Sequence, residues 1–250
     1  MKSKIGLTLA AIALFLIFLV AYLPANQVLG RITLPSNLHI AGVSGTLWSG
    51  NATRVTVNGL PIKRVEWQLR AIPLLWGTVM LDVSAGNNRA VDEISFEGEI
   101  TTRLTDTSNI SSDDFIIFLP TDQVLANVAL PLPVIAGGRF RVIVDELDFD
   151  QQCQSLVAYG EWLNASVAGT QGPIDLGTFS ALLGCEDNAI VATVEEPNRL
   201  GLTLRATMAG LRNIRVTGQF KPDPELPEEV HQAARFFGQP DAQGYFPIKL

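Results

Sequence analysis

The sequence predicts a mainly β fold: a curved antiparallel sheet or a two-sheet sandwich with a few short helices, preceded by one N-terminal transmembrane helix. Three observations carry this reading. Residues 5–23 contain no charge, the chain beyond them alternates apolar and polar residues with period two through many segments, and runs with helical spacing are few and short.

The first element is "IGLTLAAIALFLIFLVAYL", Ile5 to Leu23, 19 residues without a charged side chain. As a helix it would span roughly 28 Å, close to the hydrocarbon thickness of a bilayer. It exits through Tyr22, Leu23 and Pro24, a poor context for signal cleavage, so an uncleaved anchor is expected rather than a signal peptide. Lys2 and Lys4 precede the run and place residues 1–4 in the cytoplasm by the positive-inside rule. Residues 5–23 then cross the membrane, and 24–250 form a single extracytoplasmic domain, because every later apolar run is broken by a charge, Gly or Pro.

The strands follow. In "KRVEWQL" Val65, Trp67 and Leu69 alternate with polar neighbours; in "TVMLDVS" Val79, Leu81 and Val83 do the same. Ile94, Phe96, Ile100 and Leu104 continue the pattern, and Leu200, Leu202, Leu204 and Met208, then Ile214, Val216 and Phe220, repeat it near the end. Strands with one apolar and one wet face suit antiparallel sheets better than a parallel core, whose strands are apolar on both faces. In "RFRVIVDELDF" Phe140, Val142 and Val144 share a parity that Leu147 and Phe149 break, which predicts a β-bulge near Asp145–Glu146. Helical turns are expected at Ala71–Gly77 and 121–127. A better helix is expected over "PEEVHQAARFFG", with Pro227 at its start, Val230, Ala233, Ala234 and Phe237 at helical spacing, and Gly238 as its stop.

Composition narrows the functions. Of 250 residues, 47% are hydrophobic and 17% charged; removing Lys2 and Lys4 from 18 basic residues leaves 16 against 25 acidic ones. An acidic outward domain argues against nucleic acid and against docking on anionic headgroups. Two cysteines, Cys153 and Cys185, are expected to form a disulfide in an oxidising compartment, with two buried free thiols as the alternative. They and the two histidines, His39 and His231, lack the spacing of a metal site.

No catalytic constellation is visible. "GVSGTLW" lacks the spacing of a nucleophile elbow. The acidic pairs Asp113–Asp114, Glu195–Glu196 and Glu228–Glu229 read as solvated charge, since adjacent strand residues point to opposite faces; the last also suits a helix N-terminus. No cofactor motif is present, and the chain is not expected to be an enzyme. Three of the four tryptophans cluster within 29 positions. Trp67 and Trp76 are expected to fill a corner where a strand feeds a short helix, and Trp48 either joins that scaffold or lines an exposed groove.

The order of these features resembles the protein N family of the type II secretion system, an inner-membrane accessory component of Gram-negative bacteria. The likeness rests on "GVSGTLWSGNATRVTVNG", "VEWQLRAIPLLWGTVMLDVSAG", the two spaced cysteines and "FFGQPDAQGYFPIKL". By position, the matching residues are Gly45, Thr46, Leu47, Trp48, Gly50, Trp67, Leu69, Leu74, Leu75 and Gly77, as marks of the family's fold. The resemblance implies a non-enzymatic role among other type II secretion components, with the bulk of the chain periplasmic and the N-terminus cytoplasmic across the inner membrane. Residues 42–86 and the closing stretch also resemble, less closely, AsmA/TamB-type periplasmic proteins. That likeness implies the alternative of an apolar groove that holds lipid.

Overall fold

The computed structural model describes residues 2–31, 36–126, 134–209 and 214–249; within the first helix, the side chains at 2–5, 8, 9 and 13 are not among the described ones. The chain begins with helix α1 (Lys2–Ala21) and a short α2 (Ala25–Leu29). The expected span 5–23 is helical to Ala21, but part of it falls on side chains outside the described residues. Among those described, no helix is long and apolar enough to cross a membrane.

Thirteen strands follow: β1 (Leu38–Gly45), β2 (Ser49–Val57), β3 (Leu60–Leu69), β4 (Thr78–Ala85), β5 (Ser95–Arg103), β6 (Asp106–Pro120) and β7 (Ala136–Asp150). After them come β8 (Gln152–Gly169), β9 (Gly172–Glu186), β10 (Ala189–Val194), β11 (Thr203–Met208), β12 (Ile214–Phe220) and β13 (Phe246–Lys249). Each strand pairs antiparallel with its sequence neighbours in one sheet, ordered β1 to β13 without a crossover. The two-sheet sandwich is therefore excluded. A pure meander adds every strand to the growing edge, and among the described residues no strand leaves to start a second layer.

The short helices sit in the connections: α3 (Ala71–Leu74), α4 (Thr121–Leu125) and α5 (Glu228–Ala234), the last continued by a 3-10 turn at Arg235–Phe237 and stopped by Gly238 at φ 126°. The bulge also lies where the parity breaks. Register between β7 and β8 shifts between Val144 and Glu146, leaving Asp145 as the extra residue.

Residues directly opposite across a ladder share a face. Following partners from β4 to β13 gives one row: Ala85, Phe96, Ile117, Val142, Gly160, Ala181, Val194, Leu204, Gly218 and Ile248. Not one member is polar. The row beside it is aromatic, with Trp162 lying 5.7 Å from Phe140 and 5.4 Å from Phe179. The opposite face carries Arg141 paired with Glu161, and Arg205 paired with Glu186.

An apolar face ten strands wide needs a cover. The sheet supplies part of it by curling. Leu176 on β9 and Ile248 on β13 are four strands apart, roughly 19 Å along a flat sheet, yet both line one cavity with α5. Under the curl lie two clusters: Ala165, Ile174, Leu176, Phe179 and Leu226, then Phe220, Ala234 and Ile248 with Phe237 and Phe246 around them. Full burial of a side chain such as Leu176 contributes about 1.5–3 kcal/mol.

Cys153 and Cys185 are joined by a disulfide, 32 residues apart, between β8 and β9 at the end of the sheet where those strands turn into their neighbours. In the chain-entropy account a loop of this length stabilises by about 3–4 kcal/mol. Replacing both cysteines by Ser should lower the thermal midpoint measured without reductant, and dithiothreitol should lower the wild type toward the same value. Equal midpoints for the variant and the oxidised wild type would show that the bridge contributes nothing.

Candidate functional site

The matching residues of the two Gly/Trp-rich segments converge on one corner, where α1 ends and the β1–β2 and β3–β4 connections lie side by side. Gly45, at φ 87°, turns the chain; a Cβ there would meet the Ser49 carbonyl oxygen at 2.6 Å. Thr46 closes the turn twice, its N–H donating to Ser49 O at 2.9 Å and its hydroxyl accepting the Ser49 N–H at 3.1 Å. Leu47 is the hub: its N–H donates to Leu23 O at 2.9 Å, while its carbonyl accepts the Trp67 indole N–H at 3.3 Å. Trp48 reaches the other way, and its indole N–H donates to Val20 O, in the last turn of α1, at 2.8 Å.

Gly50 faces Trp67 across β2–β3, and the indole lies where a Cβ would be; the Ser44 carbonyl closes the same space at 2.7 Å. Leu69 follows, its N–H donating to Trp48 O at 2.7 Å. Leu74 ends α3 half-buried, Leu75 is exposed, and Gly77 at φ 76° returns the chain into β4. Trp76 differs from expectation. It is 76% exposed, because α3 ends before it and the Gly77 reversal leaves it on the outside of the turn. Trp48 is thus tied to the end of α1, an arrangement that spacing within the motif does not reveal. The topology residues Lys2 and Lys4 lie on α1 with side chains outside the described residues.

Concavities flank the sheet, and two of them differ sharply in character. On the wet face of β2–β6 a trough of about 890 Å³ is lined by Glu66, Asp82, Glu97, Glu99, Asp113 and Asp114. Adjacent Asp113 and Asp114 share it, contrary to simple strand alternation, because Asp114 sits at φ 55° and breaks the pleat. Arg70 bridges Asp82 (2.7 Å) and Glu99 (2.8 Å), and the hydrogen bond to Asp82 holds its guanidinium above its ordinary pKa. The described residues contain no group of His, Cys, Asp and Glu arranged to hold a metal ion. His39 is exposed on β1 and His231 half-buried on α5; neither is joined to a nucleophile.

At the other end of the sheet, α5 roofs an apolar cavity of about 500 Å³ lined by Leu125, Ile135, Trp162, Leu176, Leu202, Phe220, Val230, Ala233, Phe237 and Ile248. Glu229 is its charged neighbour, with its carboxylate accepting the Thr170 N–H at 2.9 Å. This volume falls within the roughly 300–1,000 Å³ of small-molecule pockets. Glu228 and Glu229 occupy the first turn of α5. Finally, among the described residues β1 and β13 each pair on one side only, which leaves an edge at either end of the strand order.

Comparison with known proteins identifies the family. The family model described as Type II secretion system (T2SS), protein N matches residues 36–249. Type II secretion system protein N of Vibrio cholerae is 27% identical over 254 residues, covering 99% of this chain and 98% of the relative. The protein of the same name from Aeromonas hydrophila is 28% identical over 100% and 98% of the two chains, and that from Pectobacterium carotovorum 24% over 98% and 95%. No solved structure matches.

The corner predicts the sign of a substitution. Gly→Ala within a strand ordinarily gains about 0.5–1 kcal/mol, whereas Gly50→Ala must displace the Trp67 indole and should cost about 1–3 kcal/mol by overpacking. Thermal melts of the variant, read beside Trp fluorescence, check this; a midpoint at or above wild type would remove the indole from that contact.

Proposed function

The chain belongs to the type II secretion system protein N family, and from that premise we propose that it is an anchored, non-catalytic interaction subunit of the secretion machinery. In this reading residues 5–23 hold it in the inner membrane with residues 1–4 in the cytoplasm, and 24–250 work as one domain in the periplasm. The observation that supports it most is the corner. Two hydrogen bonds, Trp48 to Val20 and Leu47 to Leu23, join the helix end to the sheet, the second forming part of the antiparallel bridge between Pro24 and Thr46. A domain tied this closely to its helix is held at a set angle to the bilayer. Its edge strands are then presented to neighbours in a fixed orientation.

Open edges carry unpaired N–H and C=O groups that can accept a strand from another chain. Edge β1 suits this role because it lies next to the anchor, where other membrane-bound components of the machinery would be within reach. The partner is another type II secretion component. The acidic trough beside β1 makes nucleic acid an unsuitable one.

The apolar cavity under α5 favours a second reading, in which the domain carries a lipid or another apolar ligand. Apart from Glu229, whose carboxylate accepts the Thr170 N–H, the described lining is aliphatic and aromatic, a surface that admits apolar guests. No cofactor is required in either case.

Each reading has its own test. A photoreactive residue at the exposed Ala41 of β1 should crosslink to a second secretion component in secreting cells. If Ala41 yields no crosslink while the protein still supports secretion, β1 is not the docking edge. For the carrier reading, native mass spectrometry of the full chain released gently from membranes should show a bound mass of lipid size. Ala233→Phe, which fills the cavity, should abolish that mass; a wild-type chain without it would rule out lipid carriage.

A further inference from the structure

Among the described turns, the apolar ones at one end of the sheet are those next to α1. The connection from β3 to β4 opens with Arg70, which is paired with Asp82 and Glu99; its residues 71–77 carry no charge, and its tip exposes Ile72 (71%), Leu75 (80%) and Trp76 (76%). Beside it, the β5–β6 turn exposes Leu104 (61%), whose N–H donates to Gly77 O at 2.8 Å. On its other side stands Trp48, through the Leu69 N–H to Trp48 O, and Trp48 is bonded to Val20. Exposed Tyr22 closes the series at the end of α1. Further along the same sheet end the turns change character: Asp150–Gln151–Gln152 between β7 and β8, and Asp187–Asn188 between β9 and β10, are polar.

We propose that this end of the sheet is a second membrane contact, in which Ile72, Leu75 and Trp76 enter the interface of the bilayer that α1 spans, with Leu104 beside them. The proposal rests on the anchored reading above. Exposed apolar side chains of this size at one tip are unusual on a surface that faces only water. Trp and Tyr favour the headgroup level, where an apolar ring and a polar N–H or O–H are both accommodated. The hydrogen bonds from Val20 through Trp48 to Leu69, and from Gly77 to Leu104, set these tips level with the outer end of α1, so the helix that enters the membrane brings them to its surface. The polar turns beyond β7 lie where the sheet has left that surface. The net negative charge of the domain does not oppose this contact, since the tip itself carries none.

The full chain, reconstituted in vesicles of phosphatidylethanolamine and phosphatidylglycerol, provides the test. Leu75→Cys and, separately, Ile72→Cys carry an environment-sensitive fluorophore; Cys153 and Cys185, held as a disulfide, do not react. Asn58→Cys, in the β2–β3 turn at the opposite end of the sheet, is the reference. With nitroxide-bearing lipids the labels at 72 and 75 should lose most of their emission, while the label at 58 keeps it. A chain that resists carbonate extraction but keeps bright labels at 72 and 75 overturns this contact and leaves the anchor intact. A chain stripped from the vesicles by carbonate overturns the anchor reading, and the second contact with it.

Discussion

A sheet with apolar side chains on one face only has to cover that face with something, and among the described residues no second sheet does it. The meander from β1 to β13 places Phe96, Ile117, Val142, Val194, Leu204 and Ile248 in a single row. The last strands respond by curling, so that β9 and β13 come to share the space beneath α5. That space is closed by aromatic packing: Phe220 meets Phe237 edge-on at 5.1 Å and Phe246 at 5.6 Å. The cavity that the described residues line there is a direct consequence of a short amphipathic helix roofing a wide sheet. The disulfide sits on the same half, staples β8 to β9 and limits how far their ends can separate.

The first strands answer a different demand. Their end of the sheet is organised around the Leu47 backbone, whose N–H and C=O connect the exit of α1 to the Trp67 indole. The two tryptophans flanking that peptide divide the labour. Trp67 packs against Gly50 and makes the β2–β3 ladder close-packed, while Trp48 donates to Val20 O at the end of α1, a carbonyl that also accepts the Leu23 N–H at 3.3 Å. Replacing either glycine of the turn would move the hub, because Gly45 and Gly50 are each within 2.7 Å of a neighbour's backbone at the Cβ position. The end of α1 and the first strands are therefore coupled through one corner.

Much of the fold was legible in the residues. Period-two alternation located strands around Trp67, Leu81, Phe96, Leu204 and Val216, and the parity break after Val144 located the bulge, because a pleat puts successive side chains on opposite faces whatever the surroundings. Pro227, Val230, Ala233 and Gly238 framed α5 and the 3-10 turn that continues it. The site was less legible. Trp76 appeared equivalent to Trp67, yet one is exposed and the other packed; the difference comes from where α3 stops and which way Gly77 turns. Asp113 and Asp114 read as opposed, until a left-handed Asp114 brought both to one trough.

The sequence by itself determined strand content, the single apolar face, the charge-free N-terminal run and the resemblance to protein N of type II secretion. These are local or compositional properties, set by each residue's transfer preference and by the periods of helix and strand. Only the tertiary structure decided that the strands form one sheet and not two, that Trp48 bonds the end of α1, that α5 leaves a cavity, and that Ile72, Leu75, Trp76 and Leu104 share one end. Alternation is the same for a sandwich and for a meander, since it records that a face is covered without recording by what. That choice depends on which strands pair and how far the sheet curls, and both are set by contacts between residues distant in the chain.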